Sequence, residues 1–139
     1  MGDKSRFVII DHFAKKAGKH QDLRFKKPGS TAWYSFAVRK GVPTEVGQKV
    51  LAVKTNMHSE KDALFTGRFE RGYGAGEFKK FDEGECIVEK FTTAHIVITI
   101  KGSKIKGRYH FISIKVIGSG RDKYTEYMLF KGKEEEEEK

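Results

Sequence analysis

Lys19-His20-Gln21-Asp22-Leu23-Arg24-Phe25 sets an imidazole, a carboxylate and a guanidinium on alternate positions. In a strand, every second side chain meets the same face. His20, Asp22 and Arg24 would then project together, while Leu23 and Phe25 enter a core on the other side. Imidazole nitrogen and carboxylate oxygen suit Mn²⁺ or Zn²⁺. A guanidinium suits a phosphate oxygen, bidentately and without losing its charge. A metal beside a phosphate clamp points to phosphoester chemistry. A further imidazole, His12, stands upstream, and folding back of residues 13–19 would bring it beside His20. On spacing alone, a solvated strand face has the same pattern.

The elements that would hold these residues read as strands. Segments 6–11, 33–38, 50–55, 76–81, 85–91, 96–100, 109–117 and 124–131 are rich in β-branched and aromatic residues. Turn signals separate them, among them Lys27-Pro28-Gly29-Ser30, Asp82-Glu83-Gly84, Lys101-Gly102-Ser103 and Gly118-Ser119-Gly120. Helical periodicity is scarce, and residues 13–19 are its best candidate, with room for one turn. The pattern predicts an all-β fold: a single antiparallel β-barrel with one short helix.

The chain has 139 residues, of which 37% are hydrophobic, enough for one core. It divides into a barrel domain, 1–133, and an acidic tail, 134–139, expected to be disordered. The tail holds five glutamates and one lysine, so residues 1–133 carry +13 where the whole chain carries +9. Such a basic body favours a polyanionic partner through counterion release, although solubility alone also uses charge. The single Cys86 excludes an internal disulfide and a cysteine-built zinc site. It stands in an apolar strand, as a buried and inert thiol would. No apolar run is long enough to span a bilayer, and the N-terminus lacks a signal-peptide core. The expected setting is cytoplasmic, soluble and nucleoid-associated.

Several blocks together resemble the 3′-phosphoesterase domain of bacterial DNA ligase D and its free-standing archaeal counterparts. His12-Phe13-Ala14 followed by His20-Gln21-Asp22-Leu23-Arg24-Phe25 is similar to that family's His-x-Ala and His-x-Asp-x-Arg signature. Trp33-Tyr34-Ser35-Phe36-Ala37-Val38-Arg39-Lys40-Gly41 resembles its Ser-Trp-Ala-Val-Pro-Lys-Gly block. Leu51-Ala52-Val53 with His58, Phe65-Thr66-Gly67, Gly72-Tyr73-Gly74-Ala75-Gly76, Lys106-Gly107-Arg108-Tyr109-His110 and Met128-Leu129-Phe130-Lys131 follow in the family's order. The similarity runs from about residue 6 to residue 133.

The resemblance implies a barrel with its site in a surface groove. It implies Mn²⁺-dependent trimming of 3′ ends, with Zn²⁺ or Co²⁺ as substitutes. A terminal ribonucleoside is removed, then the 3′-phosphate left behind, to leave a 3′-OH. His12, His20 and Asp22 would be the metal ligands, and Arg24 and His58 would hold the scissile phosphate. Implied partners are DNA or RNA-tipped primer–template ends and a repair ligase or polymerase, with the chain a monomer. The alternative is a noncatalytic basic barrel that only binds nucleic acid.

The chain departs from the family pattern at several points. The metal histidines are separated by seven residues, a longer spacing than is common in bacterial members, so their loop is expected to bulge. Asp62 replaces a tyrosine, and Val50 stands where arginine is frequent, beside Lys49. His58 lies in a polar stretch that a solvated loop would also have. Gly72 to Gly76 reads as a tight turn, and His95 and His110 as structural. Arg39, Lys40, Arg68 and Arg71 are candidate guides for a nucleic-acid backbone.

Overall fold

The computed structural model of the protein describes residues 2–14, 18–69, 76–118 and 124–133. The strands are β1 (Asp3–Ala14), β2 (Gly18–Lys26), β3 (Trp33–Val38), β4 (Lys49–Lys54), β5 (Gly67–Phe69), β6 (Gly76–Phe91), β7 (His95–Gly102), β8 (Lys106–Ile117) and β9 (Tyr124–Lys131). One helix, α1 (Glu60–Ala63), stands between β4 and β5. The strands pair in the order β1-β2-β3-β4-β9-β8-β7-β6, and β6 returns to β1. This closes an eight-stranded antiparallel barrel, which removes the free edges of an open sheet. β5 adds to β6 outside the ring. Among the described residues no helix is long and apolar enough to cross a membrane.

Alternation fills the barrel. Phe7 and Ile9 of β1, Leu23 and Phe25 of β2, Phe36 and Val38 of β3, Tyr109 and Phe111 of β8, and Tyr127 and Leu129 of β9 share one buried cluster. The expectation that Leu23 and Phe25 face the core is met. Cys86 is buried in this cluster too, and burial pushes its thiol up to about 12. A second, smaller core forms on the outer face. There Val8, Ile10, Trp33 and Phe78 pack against Ala63, with Leu64 and Phe65 over them. β1 is therefore covered on both sides, which explains its unbroken Phe7-Val8-Ile9-Ile10 run.

Three local expectations are corrected. Within 13–19 the described residues are strand and not helix: Phe13 and Ala14 end β1, Gly18 and Lys19 begin β2, and 15–17 lie outside the described residues. Phe13 pairs with Lys19 and Ala14 with Gly18, so cross-strand pairing outweighs local helical preference. Nor does the spacing between the histidines need a bulge. The β1–β2 register is continuous from Phe7↔Phe25 to Ala14↔Gly18, so the additional residues lengthen the hairpin.

The third correction concerns Asp82-Glu83-Gly84, which is no turn but the middle of the 16-residue β6. A bulge between Ile10↔Lys80 and Ile9↔Asp82 bends the strand there. Gly84 lets β7 approach: a Cβ would lie 2.6 Å from the Lys101 carbonyl oxygen. The Asp82 carboxylate accepts amide hydrogen bonds from Ser103, Lys104 and Ile105 at 2.8–2.9 Å and so pins the β7–β8 turn. At Gly76 a Cβ would collide with the Phe13 carbonyl oxygen, which ties this glycine to the β1–β6 approach. Gly72 to Ala75, the remainder of that expected turn, and the tail 134–139 lie outside the described residues.

Candidate active site

The β1–β2 ladder sets His12 opposite His20, Ile10 opposite Asp22 and Val8 opposite Arg24. Register thus brings the upstream imidazole to the face that carries the alternating triplet. His12 Nδ1 lies 3.2 Å from His20 Nε2. Asp22 Oδ1 is 3.0 Å from His20 Nε2, and Asp22 Oδ2 is 3.6 Å from His12 Nδ1. Among the described residues this is the one group of three or more such side chains with ligand atoms within 4.8 Å of one another. Donor atoms about 2.1 Å from a shared ion stand about 3.0 Å apart at a right angle and about 3.4 Å apart at a tetrahedral angle. The 3.0 and 3.2 Å separations fall in that range and the 3.6 Å one lies just beyond it, and two imidazoles with one carboxylate suit a borderline divalent cation.

The cluster lies on the outside of the barrel but is not open to solvent. His12, Asp22 and Arg24 are each 7% exposed or less, because the chain around α1 covers the β1–β2–β3 face. Burial alone would raise the Asp22 pKa. Hydrogen bonds to His12 and His20 and the charge of Arg24 outweigh it and hold the carboxyl well below the usual range. The His12 ring stacks on Phe78, with centroids 3.9 Å apart.

Arg24 is anchored on three sides. Nη2 donates to Asp22 Oδ2 at 3.1 Å, and Nε donates to Ser35 Oγ at 3.2 Å. Nη1 donates to the carbonyl oxygens of Asp62 at 3.1 Å and Ala63 at 2.9 Å. Those carbonyls belong to the end of α1, and that of Asp62 also accepts from the Phe65 amide at 3.3 Å. Ser59 caps the other end of α1, its Oγ accepting from the Asp62 amide at 3.3 Å. A guanidinium carries five N–H groups. These bonds use four of them and leave one Nη2 hydrogen.

His58 reaches the same region from the chain preceding α1. Its backbone exchanges two hydrogen bonds with Trp33, at 2.8 and 2.9 Å, which fixes the segment against the start of β3. The imidazole is half-buried and stands outside the group of three whose ligand atoms converge. Burial and the Arg24 charge lower its pKa, against the opposing charges of Asp22 and Asp62. His58 therefore shares the electrostatic field of the cluster without belonging to its group of converging ligand atoms.

The other singled-out residues stand elsewhere. His95 and His110 face each other across β7 and β8, Nε2 to Nδ1 at 3.1 Å, and His110 stacks on Phe130. Arg39 and Lys40 are exposed beyond β3, Arg68 lies in β5, and Arg71 is outside the described residues. Val50 is a core residue and Lys49 is exposed. Sequence reasoning missed Ser35, Phe78 and the two α1 carbonyls. A polar residue on the outward positions of an apolar strand was the available signal for Ser35. The carbonyls had none.

A small closed barrel with a His/His/Asp/Arg cluster on its outer face, buried except for the half-buried His20, is the class that fold and site define. The chain belongs to the DNA ligase D 3′-phosphoesterase domain family, whose profile matches residues 10–113. It is 34% identical over 126 residues to the multifunctional non-homologous end joining protein LigD of Mycolicibacterium smegmatis, covering 82% of this chain and 16% of that protein. The LigD protein of Mycobacterium tuberculosis strain H37Rv matches at 34% over 116 residues, and that of Pseudomonas aeruginosa at 30% over 137 residues. These cover 80% and 94% of this chain. The chain spans about one sixth of the length of these curated relatives. It is a phosphoesterase-family domain related to proteins of non-homologous end joining.

Proposed function

We propose that the chain is a metal-dependent phosphoesterase that trims nucleic-acid 3′ ends in DNA repair. The carrying observation is the convergence of His12, His20 and Asp22 with the guanidinium of Arg24. Mn²⁺ is the ion proposed for the three ligands, with Zn²⁺ or Co²⁺ able to replace it. When bound, it supplies Lewis acidity toward a phosphate oxygen and lowers the pKa of water. Asp22 offers its carboxylate in an orientation set by Arg24. Arg24 presents its positive charge and remaining Nη2 hydrogen to the phosphoryl oxygens, where negative charge grows in the transition state. His58, neutral near pH 7 because its pKa is lowered, donates a hydrogen bond to the same phosphate.

Two hydrolytic steps follow from these roles. Water adds to phosphorus and the bond to the terminal nucleoside's 5′-oxygen breaks, so the nucleoside leaves with a 5′-OH. A second water then displaces the strand's 3′-oxygen, releasing inorganic phosphate and leaving a 3′-OH. The substrate is a DNA or RNA-tipped primer–template end, bound through the basic body. A ligase or polymerase would act on the product, and the chain would work as a monomer inside the cell.

The test is incubation with primer–templates ending in a ribonucleoside or in a 3′-phosphate, with Mn²⁺ or with chelator. Product is expected only with metal, and His20→Ala protein should give none. Full activity of His20→Ala protein, or activity indifferent to chelator, would overturn the reading.

A further inference from the structure

A cleft of about 560 Å³ opens beside the cluster, on the far side of β1 from Asp22 and Arg24. The β1–β6 ladder places it: His12 is opposite Phe78, Ile10 opposite Lys80 and Val8 opposite Glu83. Phe78 and Val8 line its apolar part together with Leu64. The chain from Leu64 to Gly67, running from α1 into β5, forms a wall. Phe78 belongs both to this cleft and to the cluster, because its ring stacks on His12.

Among the described residues the lining is charge-balanced. Lys80 Nζ lies 2.9 Å from Glu83 Oε2, and Lys79 Nζ lies 3.9 Å from Glu77 Oε2. That neutrality is unusual on a body of +13. A second cleft contrasts with it: Lys4, Arg6, Lys26 and Lys27 line that one, with Glu85 as its single acid. A phosphodiester strand selects a basic groove. A neutral cleft with apolar walls, within the range of about 300–1,000 Å³ that holds one small molecule, selects an uncharged and partly flat ligand.

We propose that this cleft seats the terminal nucleoside attached to the scissile phosphate. The assignment rests on the phosphoesterase reading and deepens it: the cleft distinguishes a nucleoside-terminated end from a bare 3′-phosphate. Its ligand is a single uncharged nucleoside, not a length of strand.

Thr66 lines the cleft, is exposed and stands between α1 and β5, off the strands that carry the cluster, so Thr66→Trp fills the space from its rim. Two primer–templates differing only in their 3′ end are compared, one ribonucleoside-terminated and one phosphate-terminated. Nucleoside removal should fall by about tenfold or more in kcat/KM, chiefly through KM, since the lost contact is binding energy. Phosphate release should stay within about twofold, which also reports that the variant folds. Equal loss on both ends, or loss on neither, overturns the cleft assignment while active wild-type protein leaves the phosphoesterase reading intact. Wild-type protein inactive on both ends removes that reading and this one with it. Independently of any variant, 2-aminopurine is placed at the terminal or the penultimate position and titrated with wild-type protein in chelator. An emission change at the terminal position alone is expected, and a change at the penultimate position alone overturns the assignment.

Discussion

Nη2 of Arg24 donates to Oδ2 of Asp22 at 3.1 Å, so the group proposed to meet the phosphate also orients a proposed metal ligand. The two roles are mechanically joined. Arg24→Lys keeps the charge but cannot make the bonds to Ser35, Asp62 and Ala63 together. Mn²⁺ affinity is expected to fall about 10- to 100-fold, as for loss of a group that orients a ligand. Release of 3′-phosphate should fall by about 10²-fold or more. Calorimetry beside a rate measurement checks this, and unchanged affinity with normal turnover would separate Arg24 from both roles.

Nucleic-acid binding should be electrostatic and tolerant of sequence, given the +13 body. The logarithm of affinity should fall with the logarithm of salt concentration by about 0.7 to 0.9 per phosphate neutralised. Fluorescence anisotropy across a salt series measures it. A flat response, or strong preference for one base sequence, would point to a different mode of binding.

Much of the site was legible because strand alternation is a strict rule. His20, Asp22 and Arg24 share a face as their spacing requires, and Leu23 and Phe25 enter the core. The partnership of His12 with His20 needed register, which spacing alone leaves open. Asp82-Glu83-Gly84 was misread because aspartate and glycine mark bulges as readily as turns. Only the tertiary position of Ser103, Lys104 and Ile105 shows what the Asp82 carboxylate does. The acceptors of Arg24 on α1 are backbone atoms, and no side-chain pattern announces them.

Asp82 carries a pH-dependent part of the stability. Its burial would raise the pKa, but the amides of Ile105, Lys104 and Ser103 outweigh it and the folded pKa is lowered. An unpaired aspartate titrates near ~3.9. The stabilisation is therefore present above that value and is lost as pH falls through the lower folded pKa. Asp82→Asn should cost about 2 kcal/mol at neutral pH, since an amide oxygen cannot satisfy all the donors. The gap between variant and wild type should narrow below about pH 4. Thermal unfolding at several pH values tests this, and a gap independent of pH would refute it.

His58 separates phosphate contact from metal binding. It stands outside the group of three side chains whose ligand atoms converge, so His58→Ala should leave Mn²⁺ affinity nearly unchanged. Turnover should nevertheless fall by about 10²- to 10³-fold, the usual loss for one transition-state donor. His58→Gln keeps an N–H donor and should recover part of that loss. Burial and the Arg24 charge hold the folded pKa below the ordinary value. The neutral form then persists as pH falls past about 6.5, and any loss of activity from protonating His58 should set in below that point. For stability the sign is the same. The unfolded chain takes up the proton first, so wild-type stability should decline as pH drops through about 6.5, and His58→Gln should lack that part of the decline. Metal calorimetry, pH–rate profiles and unfolding curves on the three proteins decide the matter. Loss of metal binding in His58→Ala protein would make His58 a ligand, and activity that rises as His58 protonates would make it an acid instead of a neutral donor.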